Sequence, residues 1–173
     1  MTTNIKHSVD DLISRITDDI IDEYEDFSSV ILFGIITRGL PLAQRIAKKI
    51  FDKTGEKIIV AGLDITLYRD DLSLKSNAIQ LQNTEITEDI TDKEIILVDD
   101  VFFHGRTARA AIEAVLNLGR PKRIELAILI DRGYRELPIS ANFTGITINT
   151  KEKDQIKVLL QETDGEDKII IND

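Results

Sequence analysis

Ile95-Ile96-Leu97-Val98 is an unbroken apolar run that ends directly on two adjacent carboxylates, Asp99 and Asp100. A short run of this kind, rich in β-branched residues, reads as a strand buried on both faces, here over Glu94 to Val98. The aspartates then stand at the carboxyl end of that strand. Gly105 turns the chain toward a helix from Thr107 to about Leu118, with Ala111, Val115 and Leu118 inward beside Ile112, and Gly119 with Pro121 ends it. A strand that is apolar on both faces needs cover on both. This unit therefore restricts the chain to an α/β fold, with a mostly parallel central sheet and helices on both faces. Ligands of such sheets lie beyond the carboxyl ends of the strands, which is where Asp99 and Asp100 are delivered.

The rest of the chain repeats the pattern. Ser8 with Asp11 three residues later predicts a capped helix start, followed by the stripe Val9, Leu12, Ile13, Ile16, Ile20 and Tyr24. Val30 to Ile36 reads as a buried strand that runs through Thr37-Arg38-Gly39 into a helix from Pro41 to Ile50, with Leu42, Ile46 and Ala47 inward. After Thr54-Gly55 a strand is expected over Lys57 to Tyr68, bent at Gly62. Residues 69 to 93 are polar with little period and predict a polar β-arm or flexible loop rather than a second core. Further strands are expected at Ile124 to Ile130, Phe143 to Ile148, Ile156 to Leu160 and Lys168 to Ile171.

A length of 173 residues fits a single domain over 1–173. Without cysteine there is no thiol nucleophile, disulfide or zinc-thiolate site, which is compatible with a reducing compartment. The first residues are polar and lack the apolar core of a secretory signal, and no run is long and apolar enough to span a membrane, so a cytoplasmic location is expected. A net charge of -9 opposes non-specific attraction to nucleic acid or anionic lipid. A small anion is another matter, because backbone amides at one loop overcome a long-range field.

The loop after the strand offers such amides. Gly105, Arg106 and Thr107 lie at the amino end of a helix, where free N–H groups and the helix dipole favour phosphate, and the Thr107 hydroxyl adds a donor. Adjacent carboxylates suit sugar hydroxyls or, through water, a magnesium ion. A plainer reading of the same residues is a strand cap and a turn. The loop is neither the nucleotide loop Gly-x-x-x-x-Gly-Lys-Ser/Thr nor the dinucleotide fingerprint.

The run from Ile96 to Thr107 closely resembles the phosphoribosyl-pyrophosphate motif of type I phosphoribosyltransferases. Gly34 to Leu42, Asp64 to Leu72, Asn117 to Pro121 and Asp131 to Pro138 extend the resemblance over nearly the whole chain, toward the bacterial pyrimidine operon regulators that are also uracil phosphoribosyltransferases. What the resemblance implies is transfer of a phosphoribosyl group from 5-phosphoribosyl 1-diphosphate to uracil, giving UMP and diphosphate, with Mg2+ as cofactor. Asp99 and Asp100 would face the ribose hydroxyls, and His104, Gly105, Arg106 and Thr107 would lie around the 5'-phosphate. Thr37, Arg38 and Gly39 would form the pyrophosphate loop, Arg69 and Asp70 would begin the catalytic loop, and Ile130, Asp131 and Arg132 would border the base. Arg38, Arg69, Asp70 and Asp100 are the implied catalytic residues. No dedicated protein-only metal site is implied, while a homo-oligomer is.

Departures from the family pattern are informative. Phe103 stands where purine-using relatives commonly place an acid, which favours a pyrimidine base. His104 replaces the usual threonine before the loop glycine, and Ile36 replaces the usual lysine before Thr37, removing one cation. Regulatory relatives bind messenger RNA through a basic surface, yet here Asp18 and Asp19 lie on the first helix, Ser140 and Ile146 stand where basic residues are expected, and residues 139 to 149 contain no lysine or arginine. RNA is therefore a disfavoured partner compared with uracil, uridine nucleotides and the diphosphate.

Overall fold

The computed structural model describes residues 7–70, 86 and 88–172. The expected polar arm falls largely outside these residues. Five strands, β1 (Val30–Ile35), β2 (Ile59–Leu63), β3 (Glu94–Phe102), β4 (Arg123–Asp131) and β5 (Phe143–Thr147), form one sheet in the order β2-β1-β3-β4-β5. Every pairing in it is parallel. Helices α1 (Val9–Glu23) and α2 (Gly39–Thr54) cover one face, and α3 (Arg106–Leu118) covers the other.

Period-two alternation explains the two-sided core. Leu32, Ile96 and Val98 pack with Leu12, Ile16, Leu42 and Ile46 from the α1/α2 side. Their chain neighbours Ile31, Phe33, Ile95 and Leu97 pack against Ala111 and Val115 of α3. A buried aliphatic or aromatic side chain contributes about 1.5–3 kcal/mol, so these two layers supply most of the driving force. The α1 start is as its sequence predicts: Asp11 N donates to Ser8 Oγ at 3.1 Å and Ser8 N donates to Asp11 Oδ2 at 2.9 Å.

The strand order makes a switch point. From β1 the chain moves outward to β2, whereas from β3 it moves the other way to β4, so the loops after β1 and β3 diverge and leave a crevice between them. The β1 loop fits tightly at its glycines. A Cβ on Gly39 would stand 2.2 Å from the Val98 carbonyl oxygen, and one on Gly34 would stand 2.3 Å from Leu40 Cα. Only hydrogen at these two positions lets the start of α2 lie against β1 and β3.

A second sheet pairs β6 (Gln155–Leu159) with β7 (Lys168–Asn172) in antiparallel fashion, joined by the short helix α4 (Gln161–Asp164). Val158 and Leu160 seat it in the α1/α2 core.

Local differences from the sequence reading have local causes. The strand expected to reach Tyr68 stops at Leu63, because Asp64 Oδ1 accepts the Thr66 N–H at 2.9 Å and draws Thr66–Tyr68 into a 3₁₀ turn. β3 runs past Val98 to Phe102, since its pairing with β4 continues through Val101 and Phe102. Helix α2 starts at Gly39, before Pro41. Leu118, expected inward, is 43% exposed at the last turn of α3.

Candidate functional site

β3 carries Asp99 and Asp100 to the crevice, half-buried, and its pairing with β4 holds Asp99 opposite Ile128. Asp99 Oδ1 accepts the Asp100 N–H at 3.0 Å, and Asp100 Oδ1 accepts the Val101 N–H at 2.9 Å. Burial, reinforced by the Asp100 charge, pushes the Asp99 carboxyl well above the ordinary carboxylate range. Burial also raises Asp100. Arg69 pulls Asp99 the other way and Arg38 pulls Asp100, which brings both sequence-predicted arginines to the pair.

Past the aspartates the chain turns at Gly105, whose φ of 89° is in the left-handed region that favours glycine. Gly105 is also the N-cap of α3, and no side chain caps the helix. The amides of its first turn are therefore left for a ligand or water. Thr107 lies in that turn, half-buried. A cleft of about 210 Å³ opens here, lined by Arg69, Asp70 and the run Val101 to Thr107.

Arg106 is already engaged. Its Nη1 bonds Asp70 Oδ2 at 2.8 Å, while Nε and Nη2 grip Glu136 Oε2 at 2.7 and 2.6 Å. Any anion at this helix end meets the amides rather than a waiting guanidinium. His104 Nδ1 lies 3.5 Å from Glu136 Oε1, and its ring stacks on Phe103 with centroids 3.7 Å apart. The Arg132 guanidinium covers the same Phe103 ring at 3.8 Å.

The β4 end contributes through its backbone and its arginines. Ile130 is fully buried in the core, so it meets the site through the sheet. Asp131 pairs with Arg135, and its Oδ1 accepts the Gly133 N–H at 2.8 Å. Arg132 is 6% exposed and donates to the carbonyls of Lys151 at 3.2 Å and Asp154 at 2.6 Å, which ties the β4 exit to the approach to β6. Burial lowers its ordinary pKa.

Thr37, Arg38 and Gly39 follow β1 on the other bank of the crevice, after a cis peptide bond between Ile36 and Thr37. Thr37 is exposed, Arg38 half-buried and Gly39 buried. Arg38 Nη2 bonds Asp164 Oδ1 at 2.9 Å. Asp164 had no signal in the sequence, because the contact joins positions 126 apart with no motif at either end of α4. Arg109 was also missed: its Nη2 donates to the Tyr68 carbonyl at 2.5 Å and fastens the stem just before Arg69.

Among the described residues no three His, Cys, Asp or Glu side chains are grouped to hold a metal ion, and no helix is long and apolar enough to cross a membrane.

Comparison with known proteins agrees with this geometry. The family profile described as "Phosphoribosyl transferase domain" matches residues 1–162. The "Bifunctional protein PyrR" of Chloroflexus aurantiacus is 51% identical over 157 residues, covering 91% of this chain and 86% of that protein. The protein of the same name from Bacillus cereus is 47% identical over 163 residues, covering 93% and 91%. Among solved structures, the hypoxanthine phosphoribosyltransferase of Trypanosoma cruzi superposes with a TM-score of 0.70 at 14% identity, over 98% of this chain and 96% of that one. A hypoxanthine-guanine phosphoribosyltransferase from Bacillus anthracis gives 0.67 at 15% identity, over 99% and 98%. At such identities the structural likeness speaks for the fold alone.

Proposed function

The chain belongs to the phosphoribosyl transferase domain family, and from that premise we propose that its switch-point crevice takes 5-phosphoribosyl 1-diphosphate with uracil and forms UMP and diphosphate. The observation that carries this reading is the meeting of the half-buried pair Asp99 and Asp100 with the uncapped amino end of α3. Acceptors for ribose hydroxyls and donors for a phosphate lie on one continuous turn.

Each group then has a task. The carboxylates of Asp99 and Asp100 accept hydrogen bonds from the ribose hydroxyls. The amides from Gly105 to Thr107, with the Thr107 hydroxyl, hold the 5'-phosphate, and Arg106 braces the loop through Asp70 and Glu136. Arg38 and the Thr37–Gly39 backbone receive the diphosphate. As N1 of uracil bonds to C1 of the ribose, the bond from C1 to the diphosphate oxygen breaks with its electron pair on the diphosphate, the N1 proton passes to water, and Arg38 with Arg69 stabilises the departing charge. Phe103, held between His104 and Arg132, sets one wall near the base without an ionisable group.

Magnesium fits this donor set. Two adjacent carboxylates on one strand, with no group of three ligating side chains among the described residues, match an ion that keeps waters and takes further oxygens from a substrate phosphate. Asp99 and Asp100 would hold it, directly or through water, and when bound it would neutralise charge on the diphosphate.

The relatives' shared name, bifunctional, favours a second role beside the transfer. We infer a regulator that binds pyrimidine-operon messenger RNA in response to uridine nucleotides, as a homo-oligomer. The exposed acidic face of α1, with Asp10, Asp18, Asp19 and Asp22, turns RNA away from that helix.

Magnesium-dependent formation of UMP from uracil and the diphosphate tests the first role, with Asp100→Asn as control. Electrophoretic shift of the operon leader RNA, with and without UMP, tests the second. Product without RNA capture reduces the protein to a salvage enzyme, while RNA capture without product leaves a sensor. Neither would overturn both readings.

A further inference from the structure

The second sheet and α4 are fastened to the segment that follows β1 by two arginines with different surroundings. Arg45 grips Glu162 and Asp167 at the rim, with Nε to Glu162 Oε1 at 2.8 Å and Nη1 to Asp167 Oδ2 at 2.7 Å. Arg38 instead belongs to the loop between β1 and α2, and the carboxylate that meets it is Asp164 of α4. We propose that Asp164 is the positioning residue for Arg38, so that the second sheet takes part in recognising the diphosphate. The inference rests on the phosphoribosyl reading above.

Three observations carry it. Arg38 is the sole cation of its loop, since Ile36 and Thr37 supply none. Among the described residues Asp164 is the side chain that its guanidinium bonds, and Arg38 Nε is buried without a partner, so the Nη2 contact sets the orientation. Asp164 is itself immobilised: its Oδ2 accepts the Leu160 N–H at 3.0 Å and the Thr163 hydroxyl at 2.7 Å, with the side chain 17% exposed.

A carboxylate fixed in this way removes most of the rotamer freedom of an arginine before a ligand arrives. The donors not used by Asp164 are then pre-arranged for an anion, and less ordering remains for the ligand to impose. The backbone N–H of Leu160 and the hydroxyl of Thr163 hold the Asp164 carboxyl at about 2, so it is charged throughout the neutral range. Arg45 separates attachment of the sheet from this orienting role, because among the described residues its partners are Glu162 of α4 and Asp167.

The test compares kcat/KM for the diphosphate, and its calorimetric binding with magnesium, in the wild type, Asp164→Asn, Asp164→Glu, Arg45→Gln, Arg38→Lys and the Arg38→Lys/Asp164→Asn pair. Loss of one charge-assisted bond predicts a fall of about tenfold in Asp164→Asn, partly recovered by Asp164→Glu. Arg45→Gln lowers the thermal midpoint and keeps kcat/KM within about twofold of wild type. In the Arg38→Lys background Asp164→Asn adds nothing, which a purely structural role would not produce. Should Asp164→Asn fail to fold, Thr163→Val removes one support of the carboxylate and lowers kcat/KM about threefold. Equal losses in Arg45→Gln, additive losses in the pair, unchanged or tighter binding in Asp164→Asn, or no change in Thr163→Val overturns the proposal. Failure of the wild type to bind the diphosphate at all sinks the phosphoribosyl reading instead.

Discussion

Strand β3 begins on one carboxylate and carries two more in its carboxyl-terminal half, and the two parts treat them in opposite ways. At the amino end Glu94 meets Lys122 Nζ at 2.5 Å and Arg123 Nη2 at 3.1 Å. Its neighbour on β4, Glu125, accepts the Tyr24 hydroxyl and lies 3.6 Å from Arg123 Nη2. The Lys122 bond holds Glu94 below its ordinary range. At the carboxyl end burial wins, and Asp99 and Asp100 are raised despite Arg69 and Arg38. One strand thus carries a neutralised cluster at one end and an uncompensated one at the other. Charge that is buried and poorly offset weakens a fold, a cost that accords with the ligand role proposed for this crevice.

The largest effect expected from this contrast is on activity. On the proposed reading Asp100→Asn removes an acceptor for the ribose and lowers UMP formation by about 10² to 10³, the range for losing one transition-state contact of this kind. Glu94→Gln, at the opposite end of the strand from the crevice, leaves kcat/KM within about twofold while lowering stability by about 1–2 kcal/mol through its broken ion pairs. Side-by-side turnover and chemical denaturation check both arms. Equal loss of activity in the two variants breaks the contrast.

The aspartates should also show their strain when no ligand is present. A group whose folded pKa is raised takes up protons more readily in the folded chain, so its ionisation destabilises the fold as pH climbs from the unfolded value through the folded one. Asp99→Asn removes that loss. Its thermal midpoint should match the wild type at low pH and exceed it increasingly toward neutrality, by about 2–4 °C for each kcal/mol relieved. Scanning calorimetry from pH 3 to 8 reads the divergence. A midpoint below wild type at pH 7 would mean that the ionised pair holds the loop together instead.

The two ends were unequally legible in the sequence. Asp99 and Asp100 follow an apolar run and precede a glycine and a helix, and that local order was enough to place them beyond the core, at the crevice. The unbroken apolar runs of β1 and β3 likewise forecast two covered faces, and both are present. Partners that meet only through tertiary contact were silent. Tyr24 and Glu125 lie 101 positions apart, and Arg38 and Asp164 lie 126 apart. Tyr24 was read as one more member of an apolar stripe, because periodicity cannot see a hydroxyl's partner. Strand ends suffered in the same way. The Asp64–Thr66 bond that stops β2 is short-range but competes with an otherwise good strand pattern, and pairing with β4 lengthens β3 beyond what its own residues suggest.

The smallest effect asks which cation neutralises the amino end. Lys122 makes the shorter contact to Glu94, yet its side chain is 66% exposed, against 41% for Arg123. Arg123 also reaches Glu125 and Glu23 and lies over the Tyr24 ring at 5.3 Å, so it is bound into the cluster from several sides. Solvent and salt screen an exposed ammonium, and an exposed pair contributes about 0.2–1 kcal/mol at most. Lys122→Met should therefore lower stability by about 0.5 kcal/mol or less, and raising the salt concentration should erase the difference. Denaturation at low and high ionic strength measures it. A loss comparable to that of Glu94→Gln, and insensitive to salt, would shift the neutralising role from the cluster around Arg123 to the single bond from Lys122.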